Sequence, residues 1–209
     1  MTPGAITVAR NDPRCHDYTG GMGRWEPNAR GRLEKAAQEL YTERGFEQTT
    51  AAEIAERAGL TKRTFFRHFT DKRDVLFADS DALRDLVVKA AAETPESLAP
   101  IAAVAAGIQA AAAVLEEFRE RARDRHVVIA ATPELQEREL AKFSEIAAAL
   151  AEMLRGRGVP DRTASLAAEA GLAAFKVAFG SWVEDAGRPD LPRLVRESLD
   201  ELKTVTADA

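Results

Sequence analysis

The chain has few of the residues that build metal or catalytic centres. Cys15 is the single cysteine among 209 residues, so no internal disulfide and no cysteine cage for a metal can form. The three histidines, His16, His68 and His126, are scattered along the sequence without an evident partner for metal or acid–base chemistry. We therefore expect no bound metal, no cofactor and a reducing compartment, the cytoplasm.

The motifs of common enzyme classes are absent as well. The sequence has no glycine-rich phosphate loop after a strand, no Gly-x-Ser-x-Gly elbow and no His-Glu-x-x-His pair. Glu116 and Glu117 are interpreted as solvated helix positions that pair with basic residues one turn away, rather than as catalytic acids. An enzyme stays open as a rival class, but we expect a protein that is not an enzyme.

Long apolar runs are also missing. No run reaches the roughly 20 residues that a membrane span needs, and no basic segment followed by an apolar one begins the chain, so we expect no membrane partner. Residues 1–27 are rich in glycine and proline and lack apolar periodicity, which predicts a flexible extension. Met22 stands just before the first predicted helix, and we hypothesise that it is the natural start.

The net charge of -5 is unevenly distributed along the chain. Residues 28–73 carry ten Lys/Arg against seven Asp/Glu, a net of +3, whereas residues 74–209 carry sixteen against twenty-four, a net of -8. A basic segment on an acidic body suggests that one end meets an anionic partner, although chance fluctuation is the alternative. The same boundaries divide the predicted domains.

Beyond the extension, the pattern is helical nearly throughout and predicts an all-α fold of about nine helices. Asn28 is placed to cap the first helix, and Gly45 is placed to end it. Short helices are expected at about Ala51–Arg57 and 62–69, and a longer fourth helix is expected over about 71–93.

Two of these helices have the spacing of a helix-turn-helix, within residues 51–69. Ile54 and Phe65 are expected to face a small core, Gly59 can adopt the positive φ of the turn, and Thr61 can cap the second helix. A helical hairpin with a solvated charged face is the alternative interpretation. The exposed face of the second helix offers donors and cations suited to base edges and phosphates: Lys62, Arg63, Thr64, Arg67 and His68.

The surrounding residues extend this pattern. Gly-Phe-Glu-Gln-Thr-Thr precedes it over 45–50, and Thr-Phe-Phe-Arg-His-Phe-Thr-Asp-Lys completes it over 64–72. With these residues, the stretch 28–77 resembles the N-terminal domain of the tetracycline repressor (TetR) family. The resemblance implies a three-helix DNA-binding domain before a larger helical bundle that binds a small effector and forms a homodimer. It further implies release from a palindromic double-stranded operator when the effector binds. The resemblance favours repression, the usual activity of the family, and leaves activation open.

Matched position by position, the resemblance implies phosphate contacts by Thr50 and Lys72. Phe66 departs from the family, which usually has tyrosine here, so a hydroxyl contact to phosphate is lost. Its ring can still touch a thymine methyl or pack against a sugar, and core packing is the alternative. The DNA-contacting residues so implied are Thr50, Thr61, Lys62, Arg63, Thr64, Phe66, Arg67, His68 and Lys72.

The C-terminal part offers apolar helix faces and scattered aromatic residues. The helices over 161–185 and at the C-terminus have broad apolar faces, and the resemblance implies that they pair in a homodimer. A nonspecific DNA-binder or a protein-interaction module remains a rival function. Met153 and six ring-bearing residues could line an effector cavity or fill an ordinary core: Phe118, His126, Phe143, Phe175, Phe179 and Trp182.

Overall fold

The computed structural model describes residues 28–184 and 190–207. Within these residues it contains nine α-helices and one 3-10 helix, and no strand. The expected all-α fold of about nine helices is therefore confirmed. The glycine- and proline-rich extension, including Met22 and Cys15, lies outside the described residues.

The first three helices are α1 (Ala29–Arg44), α2 (Ala51–Arg57) and α3 (Lys62–His68). The Asn28 side chain accepts a hydrogen bond from a backbone amide of the first turn of α1, as its position predicts. Gly45 follows the last turn of α1 with a φ of 83°, a conformation that glycine adopts without steric cost. The sequence therefore predicts both ends of α1.

The continuous fourth helix expected over 71–93 is wrong. The structure has a 3-10 helix at Asp74–Phe77 and begins α4 only at Ser80–Ala92. The Asp71 carboxylate accepts the backbone N–H groups two and three residues ahead, at 2.8 and 3.1 Å, and so fixes a tight turn. Two apolar side chains of the 3-10 helix are then buried in the N-terminal core, which a straight helix from residue 71 does not provide.

Five further helices complete the fold: α5 (Pro100–Glu117), α6 (Arg119–Ala130), α7 (Pro133–Gly156), α8 (Asp161–Glu184) and α9 (Leu191–Ala207). α5 and α7 begin with proline, whose missing N–H costs nothing in the first turn of a helix. α5, α8 and α9 pack against one another, and α4 and α7 flank them.

The described residues bury two apolar cores. The N-terminal core is formed by α1, α2, α3 and the 3-10 helix, and it also takes Val128, Ile129 and Leu135 from the corner between α6 and α7. The C-terminal core lies among α4, α5, α7, α8 and α9, with Ala122 of α6 at its edge. α6 thus belongs mainly to the junction between the two parts.

α5 and α8 are long and apolar enough to cross a membrane, judged by length and composition alone. In the structure, α5 packs against α4, α8 and α9, and α8 packs against α5, α7 and α9. A Cβ at Gly171 of α8 would lie 2.4 Å from Val104 Cγ1 of α5, so the two helices approach more closely than a larger residue allows. Part of the apolar surface of each helix is therefore buried in the bundle.

Candidate nucleic-acid interface

The turn between α2 and α3 has the geometry that the sequence predicts. Gly59 has a φ of +66°, which L side chains rarely adopt. The Thr61 hydroxyl accepts the backbone N–H of Thr64 at 3.1 Å and caps α3. Ile54 and Phe65 are fully buried beneath the turn. α3 is therefore fixed to α2 along its inner face and free along its outer face.

Thr50 caps α2 through a reciprocal pair with Glu53. The Glu53 carboxylate accepts the Thr50 backbone N–H at 2.8 Å, and the Thr50 hydroxyl lies 2.7 Å from the same oxygen. These hydrogen bonds from Thr50 lower the pKa of Glu53. The structure thus places Thr50 at the exposed start of α2, with a cap that keeps its hydroxyl at the surface.

The outer face of α3 carries cations without carboxylate partners. Lys62, Arg63 and Arg67 are exposed, and in the described part of the chain none of them forms an ion pair. Thr64 is half-buried, and its hydroxyl lies 3.0 Å from that of Thr61. Unpaired cations on a rigid helix can meet phosphates or base edges without first breaking internal salt bridges.

Phe66 lies in the middle of this cationic face. Its side chain is 50% exposed, and its ring contacts Phe65 edge-on, with 5.2 Å between the ring centroids. The Lys62 ammonium lies 5.9 Å from the Phe66 ring centroid. Core packing, the alternative left open by the sequence, does not describe this ring. The structure presents it as an apolar contact point among cations.

His68 and Lys72 are placed differently from the exposed cations. The Lys72 ammonium donates to the Phe46 carbonyl at 2.8 Å and lies 4.1 Å from the Phe46 ring centroid, so it is held against the turn before α2. His68 is half-buried and lines a cavity of about 190 Å³ with Arg30 and Arg138, toward α7. The structure therefore groups the exposed residues of α3 and separates His68 from them.

The junction between the two cores contains ionic contacts that sequence reasoning missed. Arg125 of α6 donates to the Leu76 carbonyl at 2.8 Å and pairs with Glu139 of α7 at 2.9 Å. The guanidinium groups of Arg125 and Arg138 lie 5.0 and 5.4 Å from the centroid of the Phe77 ring. Only the fold brings these positions together, since they are distant in the sequence.

Further ion pairs connect the same elements. Arg73 pairs with Glu134 at the start of α7, and Arg138 pairs with Asp74 of the 3-10 helix. Displacement of α6 or α7 must therefore strain contacts to the segment that follows α3.

Most of the predicted effector residues form one row of rings. Centroid distances are 5.6 Å for His126–Phe179, 5.7 Å for Phe179–Phe175, 6.1 Å for Phe175–Phe143 and 5.5 Å for Phe179–Trp182. Phe118 is 56% exposed at the joint between α5 and α6, away from the buried rings. Met153 packs against the C-terminal core.

A cleft of about 510 Å³ opens beside this row, between α6 and α8. It is lined by His126 and Val127 of α6 and by Val183 of α8, with charged residues of α6 at its rim. His126 belongs to both the cleft and the row of rings, so it connects the two.

The outer face of α8 is apolar and has no partner in the single chain described. Leu166, Ala170, Ala173, Val177 and Gly180 recur at helical spacing on this face, and all five are exposed or half-exposed. Val205 is a further exposed apolar side chain, on α9. A stripe of small and apolar side chains of this kind permits close packing against a second helix.

Two family models match the chain. The model of bacterial regulatory proteins of the tetR family matches residues 33–78, which include α2, α3 and the turn between them. The model of the MftR C-terminal domain, a TetR C-terminal family, matches residues 98–207.

A curated relative matches the N-terminal part. The HTH-type transcriptional regulator TcmR of Streptomyces glaucescens is 33% identical over 81 residues. This match covers 39% of the present chain and 36% of TcmR, about a third of that relative's length.

Solved structures share the fold over most of the chain. SmeT, the repressor of the multidrug efflux pump SmeDEF of Stenotrophomonas maltophilia, matches in its triclosan complex with a TM-score of 0.63 at 21% identity. That match covers 85% of this chain and 90% of the SmeT chain. FadR of Thermus thermophilus, solved with lauroyl-CoA, matches with a TM-score of 0.51 at 26% identity over 83% of this chain and 92% of its own.

The C-terminal family model alone spans just over half of the chain, and the N-terminal model covers the helix-turn-helix. With its capped α3, its shared fold and its matched sequence, this chain belongs to the TetR family of bacterial transcriptional regulators.

Proposed function

We propose that the protein binds a palindromic operator as a homodimer and represses transcription until a small effector releases it. The observation that carries the proposal is the outer face of α3, where three unpaired cations surround the exposed ring of Phe66. A helix of this kind fits the major groove, where arginine and lysine bind guanine edges and apolar groups contact the thymine methyl. Such a regulator works in the cytoplasm, where its operator lies.

We assign separate roles to the residues of this surface. Lys62, Arg63, Arg67 and Phe66 contact base edges or the adjacent backbone. Thr50 and Lys72 contact phosphates on either side, and Lys72 has an ammonium proton to spare beyond its bonds to the Phe46 and Glu47 carbonyls. Thr61, Thr64 and His68 lie along the same helix, with His68 at its inner edge.

The dimer is proposed to form through the exposed stripe of α8, helped by α9. An isologous contact of this stripe with its copy would bury Leu166 and Val177, which are exposed in the single chain. The two α3 helices of such a dimer would enter major grooves about 34 Å apart, one helical turn of DNA.

The effector is proposed to bind among the C-terminal helices. The related structures of SmeT and FadR were solved with triclosan and with lauroyl-CoA, respectively, both of which have large apolar parts. In the present chain, the row of rings offers apolar surface, and the cleft beside it, between α6 and α8, offers about 510 Å³ with a mixed polar and apolar lining. Ligand binding there would move α6, whose contacts reach the 3-10 helix after α3.

Selection of bound sequences from random double-stranded DNA tests the proposal. The purified full chain should enrich a palindrome whose half-sites are about 10 base pairs apart, since the dimer presents two copies of α3. Salt-sensitive binding without enrichment of any sequence would instead favour a nonspecific DNA-binder. Absence of DNA binding at low salt would reject the proposal altogether.

A further inference from the structure

Arg119, the first residue of α6, has two donors without acceptors. Its Nε and Nη2 atoms are buried, and neither has a hydrogen-bond partner among the residues that the structure describes. The guanidinium lies 5.2 Å from the centroid of the Trp182 ring, so it contacts the aromatic row by a cation–π interaction. Buried donors are paired in most proteins, and an unpaired set marks a place where an acceptor is missing.

The neighbouring carboxylate of Glu116 does not accept a hydrogen bond from these two donors. Glu116 Oε1 lies 3.9 Å from Arg119 Nε, beyond hydrogen-bond distance. Its other oxygen, Oε2, accepts from the Trp182 indole and from the Leu191 backbone N–H, both at 2.8 Å. These two bonds tie Glu116 between α8 and α9, so its side chain is held away from Arg119.

The two unpaired nitrogens form one edge of the guanidinium. Nε and Nη2 point their hydrogens in parallel, with the spacing of the two oxygens of a carboxylate. A neutral amide or hydroxyl offers a single acceptor and no charge to this edge. The geometry therefore favours an oxyanion over a neutral polar group.

His126 supplies a third unpaired atom on the same side of α6. Its Nδ1 is buried and, within the described residues, has no partner. Seven residues separate Arg119 from His126, which is two helical turns or about 10 Å along the axis. The rings of Trp182 and Phe179 lie between them, linked by 5.5 Å between their centroids, with His126 5.6 Å from Phe179.

α6 is weakly held against these rings. Ala122 is its only residue in the C-terminal core of the described chain, because Val128 and Ile129 belong to the N-terminal core. The cleft of about 510 Å³ adjoins His126 and separates α6 from Val183 of α8. A ligand entering there can lift the start of α6 without dismantling a packed core.

We propose that the effector site takes an aromatic acid about 10 Å long. Its carboxylate pairs with Nε and Nη2 of Arg119, its ring system packs against Phe179 and Trp182, and a polar group at its far end meets His126. This inference rests on the proposed function in so far as the ligand is called an effector. Binding of the acid to its site does not itself require DNA. The bound acid displaces α6, and the displacement is transmitted to the 3-10 helix because Arg125 of α6 donates to the Leu76 carbonyl.

The test uses 6-hydroxy-2-naphthoate and its carboxamide, which differ only in the charged group. Calorimetric titration of the full chain without DNA should show the acid binding at least about tenfold more tightly than the amide, since one charge-assisted pair is at stake. Equal affinity for acid and amide, or no binding of either, would overturn the proposal, and this comparison needs no variant.

Two variants then locate the charge. Arg119→Met should remove the preference for the acid while leaving the amide unchanged, because methionine keeps the apolar stem. Arg162→Met is the control, since Arg162 is exposed at the start of α8 and does not line the cleft. It should leave the preference within about threefold of that of the wild type. Equal losses in both variants would assign the effect to general positive charge and overturn the proposal.

The same titrations separate this inference from the proposed function. A chain that binds its selected operator but not the acid refutes the aromatic-acid site and leaves operator binding intact. A chain that binds the acid through Arg119 but no DNA supports the site and refutes the proposed function.

Discussion

Phe66 shows how far a single position can be predicted. The sequence marks it as a departure from the tyrosine usual in the family, but it leaves core packing and DNA contact equally open. The half-exposed ring argues against core packing, whereas the DNA contact remains a prediction, because the environment of the ring depends on how α3 packs against α2. Burial of a residue on a short amphipathic helix is a tertiary property that the helical period alone does not define.

Replacement of Phe66 by tyrosine should strengthen operator binding. The added hydroxyl lies on an exposed ring and can donate to a phosphate, which we expect to gain about 1 kcal/mol, or roughly fivefold in affinity. The gain should be similar for selected and shuffled DNA, since phosphates carry no sequence information. Electrophoretic or fluorescence titration measures the affinity for selected and for shuffled DNA. If Phe66→Tyr bound both DNAs no more tightly than wild type, the phosphate contact would be contradicted.

Tyr41 makes the stability of the N-terminal core depend on pH in the alkaline range. Its ring is buried and its hydroxyl donates to the Lys72 carbonyl at 2.5 Å. Burial, with a smaller effect of Asp71, raises the pKa of Tyr41 well above its ordinary value of 10.0. The hydroxyl therefore stabilises the fold fully below pH 10, and this contribution is lost as the pH rises further, because the unfolded tyrosine ionises first.

Tyr41→Phe should accordingly be less stable than wild type by about 1 kcal/mol at neutral pH, since the Lys72 carbonyl loses its donor. The difference should shrink as the pH is raised from 9 to 11. Urea unfolding at several pH values measures it. Parallel stability curves for the two proteins across this range would show that Tyr41 titrates normally.

At the scale of elements, short-range signals predicted the helix ends well. Asn28, Gly45, Gly59 and Thr61 act on their own turns, so the sequence contains the information needed to place them. The helix expected from Asp71 failed because its carboxylate binds the following backbone amides, and because the next apolar residues pack into the core. The unpaired donors of Arg119 could not be predicted from the sequence either, since residues of three helices determine their surroundings.

Gly59→Val tests the turn between α2 and α3. The positive φ of Gly59 costs a β-branched residue about 1 to 2 kcal/mol, and the new Cβ would lie 2.7 Å from the Arg32 guanidinium. Operator binding and the thermal stability of the N-terminal domain should both fall, while the dimer stays intact. Gly156→Val is the control, because that position has open space around a Cβ and no positive φ. Normal operator binding by Gly59→Val would show that the turn tolerates a side chain.

For the whole molecule, the two cores share the corner between α6 and α7. Val128, Ile129 and Leu135 pack under α1, while the rest of α7 packs in the C-terminal bundle. The boundary predicted after residue 73 remains a prediction, and the 3-10 helix beyond it packs with the N-terminal core. Sequence periodicity identifies each helix but not the partner it packs against, so this shared corner required the fold.

Val177→Glu should separate the proposed dimer. Val177 is 66% exposed on α8, and an isologous contact would place two glutamates against each other in an apolar interface. Val127 of α6 is also 66% exposed, so Val127→Glu is a matched control that should remain dimeric. Analytical ultracentrifugation at micromolar concentration measures both. Wild-type protein that sediments only as monomer would contradict the α8 interface.

The central claim is that the outer face of α3 distinguishes DNA sequences. Its most direct test is the ratio of affinities for the selected operator and a shuffled duplex, measured at one salt concentration for wild type, Arg63→Ala and Lys72→Ala. Arg63→Ala should reduce this ratio by about 1 to 3 kcal/mol, roughly 5-fold to 150-fold, whereas Lys72→Ala should weaken both affinities and leave the ratio unchanged. An unchanged ratio in Arg63→Ala, with a reduced ratio in Lys72→Ala, would contradict the account.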